Sequence, residues 1–390
     1  MIETSLSAFQ RAHLTSAMEQ ANLRGAWLGI DLVALSENLR AIKSLLAPTT
    51  RIMAVVKADA YGHGAAMVAE AALHHGASSL GVATVEEGAK LRRSGHKSPI
   101  LVLGIVPDAA YEAAIRHELQ LTVSSGRQVQ VIERVARGLG RKVDVHLKVN
   151  TGMTRVGCEL HEAGGLAQYL LHSADLHLAG LSSHLSSADA PQPHDTDRQL
   201  GKFQELANRI RAHAHGITCH VANSAGTLFY PNAHFDMVRV GLAMYGHLPA
   251  SADHSPVSLA PVMSVRARIS QVKDVHAGAR VGYDLTWIAP SATRLALIPV
   301  GYADGLPRAL SNRGLALVRG QVCPMVGRIS MDQTVLDVGA LTVEPGEEVT
   351  LMGGQGATAL SVDTWAEATG SINYEVLCGL GQRLPRVYYR

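Results

Sequence analysis

Lys57 is the residue of this sequence whose position most suggests chemistry. It follows the apolar run 52–56, which predicts a buried strand, and precedes a turn punctuated by Gly62 and Gly64. Burial at a strand end lowers the pKa of an amine, and the uncharged amine can form a Schiff base with an aldehyde or another carbonyl compound. A lysine that only extends its charge into solvent is the alternative, which Lys57 alone does not exclude.

Other polar side chains fall where predicted strands end. In a parallel barrel the carboxyl ends of all strands meet at one mouth, where enzymes of this architecture carry their chemistry. Each residue alone has a structural explanation, such as a capping serine or a surface arginine, but together they predict one site. These residues are Lys148, Arg155, His184, Ser224 and Arg239, and Gly241 ends the segment that contains Arg239.

The elements that would position these residues follow a regular rhythm. Strand-like runs alternate with helical segments between residues 52 and 240, which predicts an N-terminal (β/α)8 barrel of TIM type over residues 26–255. Thr84 and Glu87 have the spacing of a helix capping box. An open doubly wound sheet is the alternative, but no Gly-x-Gly-x-x-Gly follows an early strand. The runs are 52–57, 79–83, 100–104, 119–123, 143–149, 176–181, 218–222 and 237–240.

The pattern becomes β-rich after about residue 255. Strand-like runs separated by Gly, Asp and Pro turns predict a second, mostly-β domain over residues 256–390. The segment at Trp27 can pair either with the barrel or with this domain. Residues 1–25 form a polar N-terminal extension to which the sequence assigns no role. The C-terminal runs are 262–272, 294–299, 315–318, 322–326, 333–338 and 348–352.

Composition narrows the class of protein. A chain of 390 residues with 47% hydrophobic and 17% charged residues is globular, and its length suggests more than one domain. A net charge of +2 without dense basic runs argues against nucleic-acid or membrane-surface binding. The four cysteines are too scattered for a disulfide framework or a zinc site. No apolar stretch resembles a signal peptide or a membrane span, so we expect a soluble cytoplasmic protein. We also expect it to bind no metal.

Taken together, the motifs resemble those of the alanine racemase family from about residue 27 to residue 388. The most specific is AVVKADAYGHG at residues 54–64, and a lone lysine in a strand would be weak support without the others. The further motifs are TGMTRVG at 151–157, ANSAG at 222–226, VRVG at 238–241, GRISMD at 327–332 and the pair Tyr374-Glu375.

This resemblance implies an enzyme that uses pyridoxal 5'-phosphate to interconvert L- and D-alanine and supplies D-alanine for peptidoglycan. Lys57 would hold the cofactor through its amine and act as one acid/base group. Tyr283 would be the second base, reaching the site from the partner subunit of a homodimer. Two groups are needed because one takes the α-proton on one face and the other returns a proton on the opposite face. An α-proton is too weakly acidic to remove without an electron sink such as this cofactor.

The resemblance also implies roles for the remaining site residues. Arg239 would face the pyridine nitrogen, His184 would pack at the cofactor, and Arg155 would contact the cofactor's phenolic oxygen and the substrate carboxylate. Met331 would contribute to substrate binding from the second subunit, and some family members carbamylate the lysine represented by Lys148. The phosphate would bind Ser224, the backbone of Gly241, and the hydroxyls of Tyr61 and Tyr374.

Two positions depart from the family pattern. Asn150 stands where an aspartate is common, and Asp284 follows Tyr283 where a glycine is common. These departures leave the substrate open, so a serine or broad-specificity racemase is an alternative. A decarboxylase of similar architecture is less consistent with Arg239 and Tyr283. A non-catalytic pyridoxal-phosphate carrier of single-barrel form would lack the β-rich domain.

Overall fold

The computed structural model describes residues 17–189, 194–214, 216–249 and 255–389. Residues 1–16 of the predicted extension therefore lie outside the described part. The chain forms two compact units. Among the described residues, the barrel unit contains those of Leu35–Ala60 and Ala65–Ala260, and the β-rich unit contains residues 17–34, Tyr61–Gly64 and those from Pro261 onward.

Eight parallel strands form the sheet of the barrel unit, as predicted. The strands at the two ends of this sheet are joined by hydrogen bonds from Asp236 N–H to the Cys219 carbonyl and from Arg239 N–H to the Ala222 carbonyl, both at 3.1 Å, so the barrel is nearly closed. The strands are Arg51–Val55, Ser79–Val82, Ile100–Val102, Gln120–Val123, Val143–Lys148, Leu176–Ser182, Thr218–His220 and Met237–Val240.

Helices follow the barrel strands and begin and end at recognisable signals. Thr84 and Glu87 form the predicted capping box at the start of Val85–Arg93. Ser125 caps Gly126–Leu139, and Gly140 ends that helix with a left-handed φ of 62°. The other helices of this part of the chain are Leu32–Lys43, Ala65–His74, Tyr111–Arg116, Leu160–His172, His194–Arg211 and Ser224–Phe229, with 3₁₀ turns at Asp108–Ala110, Pro231–Ala233 and Leu242–Tyr245.

Strand periodicity decides what the barrel encloses. Side chains alternate between the two faces of a strand, so residues two apart share a face. Met53, Leu101 and Met237, from three different strands, pack together as one buried cluster. Two positions further along their strands, toward the carboxyl ends, come Val55 and Arg239. The same alternation that places Met237 in the core therefore brings Arg239 to the mouth of the barrel.

The β-rich unit is built on a long mixed sheet. Its strand Ala26–Asp31 pairs antiparallel with Met263–Arg268 and parallel with Arg386–Tyr389, so the Trp27 segment joins this sheet. In sheet order the strands are Gln271–Val275, Thr293–Ile298, Thr334–Gly339, Gln321–Val326, Leu315–Val318, Glu348–Gln355, Met263–Arg268, Ala26–Asp31 and Arg386–Tyr389. Further elements are the strands Thr358–Leu360, Arg280–Val281 and Trp287–Ile288, the helices Val362–Thr369 and Asn373–Gly379, and the 3₁₀ turns Tyr283–Leu285, Tyr302–Asp304 and Arg308–Leu310.

Candidate active site

The chain turns left-handed directly after Lys57. Ala58, Asp59, Ala60 and Tyr61 all have φ between 51° and 55°, although none of them is a glycine. For L-residues this conformation costs roughly 1–2 kcal/mol per residue. Such strain persists only where surrounding contacts over-determine it, and it clusters at functional sites. The sequence predicts a turn here from Gly62 and Gly64, but nothing in its pattern predicts that residues 58–61 are left-handed.

Arg239 is a fully buried cation at the mouth of the barrel. Its Nη1 donates to His220 Nδ1 at 2.9 Å, and its Nη2 donates to His184 Nδ1 at 3.0 Å. Nη2 also lies 2.9 Å from the Ser183 carbonyl and 3.0 Å from the Val221 carbonyl. Burial lowers the pKa of Arg239 to about 10, so the side chain stays charged near neutral pH. Each of these four partners is a neutral acceptor, and none is a carboxylate.

Three histidines lie near this arginine, of which His146 and His220 are buried and His184 is half-buried. His220 Nε2 lies 2.8 Å from His146 Nδ1, so the chain of contacts continues inward from Arg239. Burial is the largest cause that lowers the pKa of His146 to about 4 and of His184 to about 2, and Arg239 lowers both further. The pKa of His220 lies well below its ordinary value for the same two reasons. All three imidazoles are therefore neutral at physiological pH. The sequence pattern singles out His184 but neither His146 nor His220.

Lys148 lies in the same group. Its Nζ donates to the Ser183 carbonyl at 2.8 Å, the oxygen that also accepts from Arg239. Burial, then the charges of Arg239 and Arg155, hold the pKa of Lys148 well below its usual range. The charge of Lys57 in turn contributes to lowering the pKa of His184. The barrel thus brings together the predicted residues Lys57, Lys148, Arg155, His184 and Arg239.

The loop that carries Arg155 is organised by Asn150. Its Oδ1 accepts from the N–H groups of Gly152 at 3.1 Å and Thr154 at 3.0 Å, while its Nδ2 donates to Glu159 at 2.9 Å. An aspartate at 150 could accept the same two N–H bonds, but it would place a second carboxylate against Glu159. An asparagine at this position, unlike the aspartate common in the family, can therefore donate a hydrogen bond to Glu159.

Ser224 and Gly241, two of the predicted phosphate-binding residues, are in direct contact. Ser224 Oγ accepts from the N–H groups of Gly241 at 3.1 Å and Ala243 at 3.2 Å. Asn223 precedes Ser224 as a helix cap and accepts from Gly226 N–H at 2.9 Å. Because these two N–H groups donate to the Ser224 oxygen, the Ser224 O–H is the group that can donate to a phosphate oxygen.

Within the β-rich unit, Tyr61 and Tyr374 lie side by side, with ring centroids 6.1 Å apart. Burial raises the pKa of Tyr61 far above its ordinary value, and the neighbouring Tyr374 and Cys378 raise it further. The Tyr61 hydroxyl therefore keeps its proton and can donate. This pair matches the two tyrosines that the resemblance assigns to the phosphate.

Tyr283 and Met331 are largely exposed, at 70% and 52% of their surface. They lie on neighbouring loops of the β-rich unit, because the Gly282–Asp284 turn packs against the segment before Met331. Gly282 has φ of +74°, and a Cβ there would meet Arg328 N at 3.1 Å. Asp284, the second departure from the family pattern, forms an ion pair with Arg328 at 2.8 Å. The added carboxylate is thus paired with an arginine of the neighbouring loop.

Some features are excluded for the described part of the chain. No group of three or more His, Cys, Asp or Glu side chains there could hold a metal ion. None of the helices described is long and apolar enough to cross a membrane. All four cysteines are free thiols.

A nearly closed (β/α)8 barrel with a cationic mouth, joined to a β-rich unit, defines a barrel enzyme. The family models "Alanine racemase, N-terminal domain" and "Alanine racemase, C-terminal domain" match residues 30–249 and 262–388. An alanine racemase of Nostoc sp. is 46% identical over 367 residues, which cover 93% of this chain and 95% of that protein. One of Symbiobacterium thermophilum is 42% identical, covering 95% of this chain and 99% of that protein. The chain belongs to the alanine racemase family.

Solved structures agree with this assignment. The alanine racemase of Streptomyces coelicolor has a TM-score of 0.88 at 37% identity and covers 96% of this chain and 100% of its own. That of Clostridium difficile has a TM-score of 0.88 at 34% identity, with 94% and 96% covered. A histidine racemase of Leuconostoc mesenteroides has a TM-score of 0.87 at 28% identity, with 94% and 98% covered.

Proposed function

We propose that this protein racemises alanine with pyridoxal 5'-phosphate as cofactor and supplies D-alanine for peptidoglycan. The observation that carries the proposal is the buried Arg239, whose four hydrogen-bond partners described above are all neutral acceptors. An arginine keeps its protons, so it donates to a ring nitrogen that faces it and does not protonate it. That environment favours proton removal and return over decarboxylation or transamination, which need a stronger electron sink.

The residues present fit this cofactor. Lys57 offers the amine that would hold it, and Ser224, whose oxygen accepts the Gly241 N–H, offers its O–H as a donor to the phosphate. As the resemblance implies, Tyr61 and Tyr374 of the β-rich unit would supply further hydroxyls, and Arg155 would bind the substrate carboxylate. When bound, pyridoxal phosphate withdraws electrons from the substrate carbon and makes its proton removable.

Inversion at the α-carbon requires a proton donor or acceptor on each face. Lys57 would serve one face. Tyr283 would serve the other from the partner subunit of a homodimer, with Met331 beside the substrate. The exposure of Tyr283 and Met331 supports this proposal, because a side chain that reaches into a partner's site must project from its own subunit. Free cysteine thiols fit action in the reducing cytoplasm.

Subunit mixing tests the composite site. Lys57→Ala and Tyr283→Phe proteins should each be inactive alone as homodimers. Unfolded, mixed and refolded together, they should form heterodimers in which one site holds both substitutions and the other holds neither, so activity returns. If Tyr283 serves its own subunit, every site carries one substitution and mixing restores nothing. Mixing each variant with itself is the control for the refolding step.

A substrate panel tests the choice of amino acid. Chiral chromatography of L-alanine, L-serine, L-lysine, L-arginine and L-histidine after incubation gives kcat/KM for each. We expect alanine to exceed serine by at least roughly tenfold, since small differences in a pocket are worth about 10 to 200-fold. The histidine racemase among the structural neighbours makes larger side chains the relevant comparison. Comparable rates for several of them would favour the broad-specificity alternative.

A further inference from the structure

We propose that Glu87 is a positioning residue for Lys57, in that its carboxylate holds the left-handed turn that directly follows the lysine. Glu87 is the third residue of the helix Val85–Arg93 and a member of its capping box. A capping glutamate ordinarily serves only its own helix. Here the same side chain also binds the segment after Lys57, and this inference rests on the proposed function of that lysine.

Both carboxylate oxygens of Glu87 accept backbone N–H groups. Oε1 accepts from Ala58 N–H at 2.7 Å. Oε2 accepts from Ala83 N–H at 2.7 Å and from Thr84 N–H at 3.3 Å. Ala58 is the residue that directly follows Lys57, so this contact lies one peptide bond from the lysine backbone. Hydrogen bonds to an ionised carboxylate are about twice as strong as neutral ones.

The barrel topology explains why this helix start reaches Lys57. The strands Arg51–Val55 and Ser79–Val82 are parallel neighbours, with Val55 opposite Gly81. Val56 N–H extends the pairing by donating to the Gly81 carbonyl at 2.9 Å. The two chains therefore leave the sheet side by side at the mouth, and the helix that begins after the second strand places Glu87 against the turn after the first.

The turn needs such external contacts because its own geometry is strained. Residues 58–61 are all left-handed. At the far end, Asp59 Oδ1 accepts from Ala65 N–H at 2.9 Å, and within the turn Ala60 N–H donates to the Val56 carbonyl at 2.9 Å. Glu87 holds the end next to the lysine. Releasing Ala58 would let the backbone relax toward ordinary φ values and redirect the Lys57 side chain.

Glu87→Gln is the decisive substitution. It changes few atoms, but it cannot accept both from Ala58 N–H and from the N–H groups of Ala83 and Thr84. Whichever way the amide is oriented, its NH2 group faces a backbone N–H where an oxygen stood. Thr84→Ala is the matched control for helix capping, since it removes the Thr84 Oγ that accepts from Glu87 N–H at 3.3 Å and leaves the Ala58 bond intact. Glu86→Gln is the control for charge, because Glu86 is an exposed acid in the same first turn.

We expect Glu87→Gln to lower kcat for alanine by roughly 10 to 100-fold with KM changed less than about threefold, as for a misplaced catalytic group. We also expect the Kd for pyridoxal phosphate to rise about tenfold, with less visible absorbance of bound cofactor. In the cofactor-free protein, amide hydrogen exchange at residues 58–61 should become at least about tenfold faster. Both controls should stay within about twofold of the unsubstituted protein in all three readouts.

Equal effects of Glu87→Gln and Thr84→Ala would overturn the proposal and reduce Glu87 to a helix cap, as would a Glu87→Gln protein with unchanged cofactor affinity and exchange. If Glu87→Gln does not fold, Glu87→Asp keeps the charge and shortens the reach to Ala58. Glu87→Asp should show smaller losses of kcat, cofactor affinity and protection from amide exchange. If it shows none of these losses, the proposal is contradicted. If the unsubstituted protein fails to racemise alanine, the proposed function fails, but cofactor affinity and amide exchange still decide the role of Glu87.

Discussion

Arg239 and His220 share a hydrogen bond whose direction is fixed by chemistry. Nη1 of Arg239 lies 2.9 Å from Nδ1 of His220, and a guanidinium can only donate. His220 Nδ1 must therefore be unprotonated, its proton lies on Nε2, and Nε2 donates to His146 Nδ1 at 2.8 Å. The same reasoning makes His184 Nδ1 an acceptor. One arginine thus sets the tautomer of three neutral imidazoles.

Removing this acceptor should disturb Arg239. His220→Phe leaves a buried Nη1 donor without its partner, which costs about 1–3 kcal/mol, and we expect kcat to fall by roughly 10 to 100-fold. His220→Asn places an amide oxygen near the position of Nδ1 and should lose less than about fivefold. Steady-state racemisation of alanine by both variants checks this. Equal losses in the two variants would mean that the ring, and not its acceptor atom, supports Arg239.

His146 predicts a pH dependence of stability. Burial lowers its pKa in the folded protein to about 4, whereas the unfolded residue titrates near 6.5. Between these two pH values the unfolded chain therefore binds more protons than the folded protein. The contribution of neutral His146 to the free energy of unfolding is complete above about pH 6.5 and is lost as the pH falls toward 4. The full loss is roughly 3 kcal/mol. Urea unfolding of cofactor-free protein between about pH 7.5 and pH 5 should show a shallower decline for His146→Leu than for the unsubstituted protein.

Asn150→Asp should weaken the loop that presents Arg155. The new carboxylate faces Glu159, and repulsion between exposed like charges is worth up to about 1 kcal/mol. We therefore expect KM for alanine to rise up to about fivefold at neutral pH with little change in kcat. Glu159→Gln added to Asn150→Asp should restore KM, because the repulsion needs both acids. A double variant as impaired as the single one would show that the Asn150 amide acts in another way.

The contacts of Arg24 indicate a structural role for residues 17–25, the described part of the N-terminal extension. Its Nη2 lies 2.8 Å from both carboxylate oxygens of Asp304, a fully buried residue that also accepts from Gly301 N–H at 3.0 Å. Tyr302 lies in the same turn, between Gly301 and Asp304. Its backbone N–H donates at 3.1 Å to the carbonyl of Ser330, the residue before Met331. Arg24→Met should lower the free energy of unfolding by up to about 3 kcal/mol, because the buried carboxylate loses the nearer of its two arginine partners.

A charge-keeping substitution supplies the control. Arg24→Lys retains one cationic donor for Asp304 and should recover part of the lost stability in thermal and urea unfolding. Arg383, whose Nε lies 3.3 Å from the same carboxylate, remains in both variants. Identical unfolding of Arg24→Met and the unsubstituted protein would show that Arg383 alone compensates Asp304.

Much of the fold could be predicted because it depends on local pattern. Apolar runs indicated all eight barrel strands, and the spacing of Thr84 and Glu87 indicated their capping box. What could not be predicted depends on distant partners. Residues 58–61 contain no glycine to signal left-handed backbone, and their support comes from Glu87, 29 positions from Ala58.

The buried histidines illustrate the same limit. His146 alternates with apolar residues in its strand, which predicts the face it occupies but not that it meets His220, 74 positions away. The motifs carried by the resemblance identify residues that would touch cofactor and substrate. They do not indicate the residues behind them, since a supporting contact is a property of packing between strands. The sequence likewise leaves open which unit the Trp27 strand joins, because one of its neighbours in the sheet, Arg386–Tyr389, lies near the other end of the chain.

Proton NMR of L-alanine incubated in D₂O with the protein and pyridoxal phosphate, followed by chiral separation, tests the central claim most directly. With Lys57 and Tyr283 on opposite faces, the D-alanine that forms should carry deuterium at the α-carbon from the first turnovers, while the remaining L-alanine keeps its proton. Deuterium appearing first in L-alanine would contradict the two-base account. An absence of D-alanine would contradict the proposed reaction itself.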